Sequence, residues 1–99
     1  MAATTVSCRA SLTNGVSFGK IYTVTSTDAT NQAIIFNFNV NYDLVAQFQV
    51  VDSSNVFVSL ADAVITYPAK GQVEIANGAS TFALTNGYKI SLIVQRKGA

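Results

Sequence analysis

Ile34-Ile35-Phe36-Asn37-Phe38-Asn39-Val40-Asn41 alternates apolar and amide side chains almost without a slip, and Leu44-Val45-Ala46-Gln47-Phe48-Gln49-Val50-Val51 alternates again after the polar break Asn41-Tyr42-Asp43. A period of two is the signature of half-buried strands, because successive side chains leave a strand on opposite faces. Phe36, Phe38 and Phe48 fall on the apolar side and are assigned to the core. Leu44, Ala46 and Val50 share a face with Phe48, and Gln47 and Gln49 take the other. Asn37, Asn39 and Asn41 form a row of uncharged donors and acceptors. That row has two readings, a solvated outer face or a hydrogen-bonded seam against another subunit.

Working outward, residues 4–12 read as a first strand and 16–25 as a second, with Phe18, Tyr22 and Val24 on one face. Asn14-Gly15 between them is a strong hairpin signal, since a type I′ turn needs positive φ at both central residues. Gly19 interrupts the second strand, marking a bulge or a close backbone approach. Ser26-Thr27-Asp28-Ala29-Thr30-Asn31-Gln32 has no apolar anchor, which predicts a surface loop or a crossover between sheets. Asp52-Ser53-Ser54-Asn55 and Pro68-Ala69-Lys70-Gly71 read as turns, with strands at 56–60, 63–67 and 73–76 around them. Asn77-Gly78 and Asn86-Gly87 bound a stretch that is either a short strand or a loop plugged by Phe82 and Leu84. The closing strand, 88–95, directs Tyr88, Ile90, Leu92 and Val94 one way. Lys89, Ser91, Ile93 and Gln95 point the other way, towards solvent or a neighbour. No window carries helical spacing. Residues 1–99 are therefore expected to form a single all-β domain, a small antiparallel β-sandwich of immunoglobulin-like or partly open barrel form. It should hold about seven to eight short strands and no substantial helix, with residues 1–3 as an arm and 96–99 as a short basic tail.

Composition narrows the function. Hydrophobic residues make up 49% of the chain and charged ones 11%, against roughly 25% charged in ordinary soluble domains. A surface of amides, hydroxyls and small residues suits protein contact, because covering it strands few ions. The net charge of +1 and a pI of about 7.9 argue against a nucleic-acid partner. No apolar run approaches a membrane span, and Met1-Ala2-Ala3-Thr4-Thr5 lacks the features of a secretory signal, so synthesis in a cytoplasm is expected. Cys8 is alone, alternates with Val6, Ala10 and Leu12, and reads as a core residue. Without a second Cys or any His, no metal or cofactor is expected. The missing His also removes the commonest general base. Asp28, Asp43, Asp52, Asp62 and Glu74 sit mostly at predicted turns or strand ends, so no enzyme is expected. Thr4, Thr27, Asp28, Asn31, Asn37, Asn39, Asn41, Tyr42 and Tyr67 are the candidate partner contacts.

From Asp43 onward the chain resembles a small β-sandwich module of tailed-bacteriophage virion proteins. The resemblance rests on Leu44-Val45-Ala46-Gln47-Phe48-Gln49-Val50-Val51-Asp52, the turn Ser53-Ser54-Asn55, then Val56-Phe57-Val58 and Val64-Ile65-Thr66-Tyr67. Val73-Glu74-Ile75 and Tyr88-Lys89-Ile90-Ser91-Leu92-Ile93-Val94 complete it. It covers about half of the chain and implies no catalytic residues. Such modules occur at tail-fibre tips, and small sandwiches also serve as decoration (cement) proteins on capsid exteriors, frequently as trimers. A short chain starting at Met1 fits cement better than a fibre tip. The implied partners are the major capsid protein lattice and sister subunits, with no nucleic acid and no membrane. Residues 25–32 or the N-terminal arm would touch the shell. The rival expectation is a tail-associated receptor- or glycan-binding module centred on Tyr42 or Tyr67.

Overall fold

The computed structural model describes residues 4–7, 18–77 and 82–97. Its elements are β1 (Thr4–Ser7), β2 (Phe18–Thr23), α1 (Ser26–Asn31), β3 (Ala33–Asn37), β4 (Leu44–Val51), β5 (Ala63–Thr66), β6 (Gln72–Asn77) and β7 (Lys89–Arg96). They form two sheets, ordered β1-β3-β6-β5 and β2-β7-β4. The all-β sandwich expected from the alternation is the architecture found. Cys8, the Asn14-Gly15 turn, Gly78, Thr81 and the arm at 1–3 lie outside the described residues.

Alternation explains the layers. Ile34 and Phe36 of β3 stand opposite Ile75 and Val73 of β6, and all four are fully buried. From the other sheet come Leu44, Phe48 and Val50 of β4 with Ile90, Leu92 and Val94 of β7. Burying each such side chain stabilises the fold by roughly 1.5–3 kcal/mol. The Phe36 ring meets Tyr22 edge-on, with centroids 5.6 Å apart and planes at 85°, and tilts at 6.3 Å against Phe48. One ring of the four-stranded sheet is thus gripped by two from the three-stranded sheet. Phe82 and Leu84, in a stretch without strand pairing, plug the core as a packed loop.

Pairing departs from several expectations. β1 and β2 belong to different sheets, so they form no hairpin; β1 pairs with β3, and in parallel rather than antiparallel. Gly19 pairs in register with Ile93, and an added Cβ would come no nearer than 4.0 Å to Leu92 O, so neither bulge nor close approach occurs. Residues 26–31 form a short helix. Residues 56–60 are no strand: Phe57 makes an isolated bridge to Val51, and Val58 N–H donates to Val50 C=O at 2.8 Å. Finally, β3 stops at Asn37. Asn39 takes a left-handed φ of 57°, and its N–H donates to Asn37 Oδ1 at 3.1 Å. Local amide bonding of this kind competes with ladder pairing.

The segment after β3 crosses to the opposite sheet and is fastened to the β5–β6 turn. Phe38 N–H donates to Gly71 C=O at 2.8 Å, and Gly71 N–H donates to Tyr42 C=O at 2.9 Å. Gly71 has φ +73°, and a Cβ there would lie 3.0 Å from Val40 N and closer still to Val40 O. Gly87, at φ +95°, has among the described residues only Ser53 Cβ nearby, at 4.0 Å. Gly71→Ala therefore combines backbone strain with a clash against backbone and should cost about 2–4 kcal/mol, whereas Gly87→Ala carries strain alone and should cost about 1–2 kcal/mol. Urea midpoints at unchanged m-value would measure both, and equal losses would refute the distinction.

Candidate functional site: interaction surfaces

The polar stretch before β3 is ordered by one carboxylate. Thr25-Ser26-Thr27-Asp28 makes a capping box: Asp28 N–H donates to Thr25 Oγ1 at 3.2 Å, and Thr25 N–H donates to Asp28 Oδ2 at 2.9 Å. Tyr22 Oη donates to the same Oδ2 at 2.5 Å. Asp28 is fully buried, and among the described residues its Oδ1 has no hydrogen-bond partner. Asn31 Nδ2 donates to Thr4 Oγ1 at 3.0 Å, tying α1 to β1. Thr4, Asp28 and Asn31, expected as partner contacts, thus come together as an internal joint. Asp28 is corrected from an outward contact to a buried one, while Thr27 is exposed on the helix.

Burial pushes the Asp28 carboxyl up, but the Thr25 N–H and the hydroxyls of Tyr22, Thr25 and Thr4 outweigh it and hold it below its ordinary value. The Tyr22 phenol is pushed up to about 12, first by burial, then by its hydrogen bond to Asp28 and that group's charge, against a smaller opposing effect of Thr25.

The remaining expected contacts scatter. Asn37 is half-buried at the end of β3, and Asn39 and Asn41 are exposed beyond it, so the three-amide strand row does not form. Tyr42 is half-buried, with the Arg96 guanidinium carbon 4.8 Å from its ring centroid. Tyr67 is exposed, yet its Oη accepts from Ala46 N–H at 2.9 Å, linking the end of β5 to the edge of β4.

A continuous uncharged surface exists elsewhere, on the outer face of β2-β7-β4. Strand register sets Gly19, Ile93 and Gln47 in one row, and Ile21, Ser91 and Gln49 in the next. Val45 and Gln95 lie above them, and Thr23, Lys89 and Val51 below. Ile21 is 71% exposed and Ile93 46%. Gly19 offers no side chain to cover Ile93. A shallow depression of about 190 Å³ opens here, lined by Val45, Ala46, Gln47, Ile93 and Gln95. Among the described residues Lys89 is the single charged side chain of this face, at its end. The alternation in β4 and β7 was the signal for it: the strand faces opposite the core carry amides and Ile93 where charges would be usual.

Among the described residues no three of His, Cys, Asp and Glu gather to hold a metal ion, and no helix is long and apolar enough to cross a membrane. Comparison with protein-family models, curated proteins and solved structures gave no match.

Two measurements test the Asp28 joint. Its lowered folded-state pKa means that its stabilisation is present above the unfolded carboxylate value, near 4, and is lost as pH falls through the folded value. The stability gap between the wild type and Asp28→Asn should therefore be about 1–3 kcal/mol at neutral pH and close in acid. A gap that widened on acidification would contradict this. For Tyr22, absorbance titration should show a phenol ionising at about 12 that disappears in Tyr22→Phe.

Proposed function

We propose that this chain is a structural protein of a tailed-bacteriophage virion, made in the host cytoplasm, that decorates the capsid exterior and stabilises the shell by contact rather than chemistry. The observation that carries this reading is the uncharged outer face of β2-β7-β4, where Ile21, Val45 and Ile93 alternate with Gln47, Gln49 and Gln95. A partner covering it would desolvate amides that form new hydrogen bonds and apolar groups that gain from burial, with Lys89 at the rim. The low overall charge and the resemblance of the strands from Asp43 onward add support. Decoration works by mass action: a protein that binds the assembled lattice but not its separated subunits shifts the equilibrium towards the lattice.

The glycan-binding alternative draws less support. Tyr42 already carries Arg96 on its ring, and the Tyr67 hydroxyl is engaged with Ala46.

Quantitative mass spectrometry of purified virions should find the chain in proportion to the shell subunit, and added chain should raise the temperature at which undecorated heads open. Ile93→Glu should weaken co-sedimentation with heads by about tenfold or more, since a carboxylate stranded in an apolar contact costs upwards of about 1.4 kcal/mol. A copy number matching tails, or unchanged binding by Ile93→Glu, would count against the proposal.

A further inference from the structure

The four-stranded sheet ends at β5, a short edge strand whose own four residues carry none of the side chains that usually protect an edge. Asn77 N–H donates to Gln32 C=O at 3.2 Å, on the β3 side, so Asn77 and Ile75 direct their backbone groups towards β3. Ala63 and Ile65, opposite them in register, must turn theirs away from β6. The Ala63 N–H is satisfied by Leu60 C=O at 3.0 Å. For the Ile65 N–H and C=O, no hydrogen bond is found among the described residues. Ala63-Val64-Ile65-Thr66 holds no charge and no proline, the devices that ordinarily keep an edge from pairing. The β4 edge, in contrast, is covered by the Tyr67 hydroxyl at Ala46 and by Val58 N–H at Val50 C=O. Val56, Phe57, Val64, Ile65 and Tyr67, five large apolar side chains that are exposed, fall within residues 56–67.

We infer that β5 is a self-association edge, pairing antiparallel with β5 of a second copy across a two-fold axis at Ile65. Ile65 N–H then donates to the partner's Ile65 C=O and the reverse. Continuing the register, Tyr67 N–H reaches the partner's Ala63 C=O, while the Ala63 N–H keeps its bond to Leu60 C=O. Backbone self-complementarity at Ile65 selects this occupant, and charge selects the direction. Asp62 precedes the strand and Lys70 follows it, so antiparallel pairing keeps the two Asp62 ends apart. Parallel pairing would align like charges instead. A two-fold contact also closes on itself and builds no filament. The pairing is two-fold, where the virion-module resemblance implies trimers, and it does not depend on the shell-binding proposal, because the free chain alone decides it.

The test is sedimentation equilibrium with residue-resolved amide exchange over rising concentration. The mass should climb towards twice the 10.5 kDa of one chain, with slowing exchange at the Ile65 amide. Val64→Lys sets two lysines diagonally across the axis, so it should hold the mass at that of one chain while the Ile75 amide stays protected. Val45→Lys, on the outer face of the other sheet, should pair like the wild type. Thr66→Lys, on the same exposed row as Val64, repeats the test if Val64→Lys loses protection at Ile75. A mass that stays single, a mass that triples, or pairing that survives both β5 lysines would overturn the inference.

Discussion

Two sheets share one apolar layer, and among the described elements five of the six connections pass from one sheet to the other, with only β5 and β6 joined within a sheet. This is the constraint on which the rest of the structure depends. A strand can satisfy its backbone in a ladder, but a segment passing between sheets cannot, and buried backbone groups left unpaired are costly. Each described crossing therefore carries its own hydrogen-bonding device. Between β2 and β3 the Thr25–Asp28 capping box starts a helix, and Gln32 ends it in the left-handed conformation. The Gln32 amide then accepts from Leu84 N–H at 2.8 Å and donates to Leu84 C=O at 2.7 Å. Between β4 and β5, Asp52 Oδ1 accepts from Ser54 and Val56 N–H. Between β6 and β7, Gly87 N–H donates to Val24 C=O and Val24 N–H to Tyr88 C=O.

The same constraint explains what the sequence made legible. Alternation is local, so the inward faces of β3, β4, β6 and β7 and the core places of Phe36, Phe38 and Phe48 could be read directly. Partner choice is not local. Two alternating runs around Asn14-Gly15 look like a hairpin, but 4–7 and 18–23 serve opposite sheets, and nothing in either run declares this. The helix was readable in principle from Thr25 and Asp28 at capping-box spacing. It lacks the apolar stripe by which helices are usually recognised, being held instead by a buried carboxylate.

The candidate contacts divide along the same line. Thr4, distant in sequence, converged with Asp28 and Asn31 of α1 on one place, though as an internal joint. Asn37, Asn39 and Asn41 separated because an Asn side chain bonding its own backbone ends a strand as readily as it decorates one. The amide-bearing face lay instead on β4 and β7, where Gln, with a longer side chain and weaker local bonding, leaves the ladder intact.

Topology also decides how the two surfaces could act together. The uncharged face belongs to β2-β7-β4, and the free edge to β5 in the other sheet. In an antiparallel strand pair the two-fold axis stands perpendicular to the sheet, so pairing through β5 keeps the same side of both sheets uppermost. Both copies of the Ile21–Ile93–Val45 face would then point the same way, offering two identical contacts to one surface. For a flat, repeating partner the second contact forms at high effective concentration, and overall binding exceeds that of either face alone without any new interaction. An isolated partner gains nothing from the arrangement. If both proposals hold, this geometry favours an extended lattice over single receptors, since only a lattice presents its sites in the plane that the paired faces share.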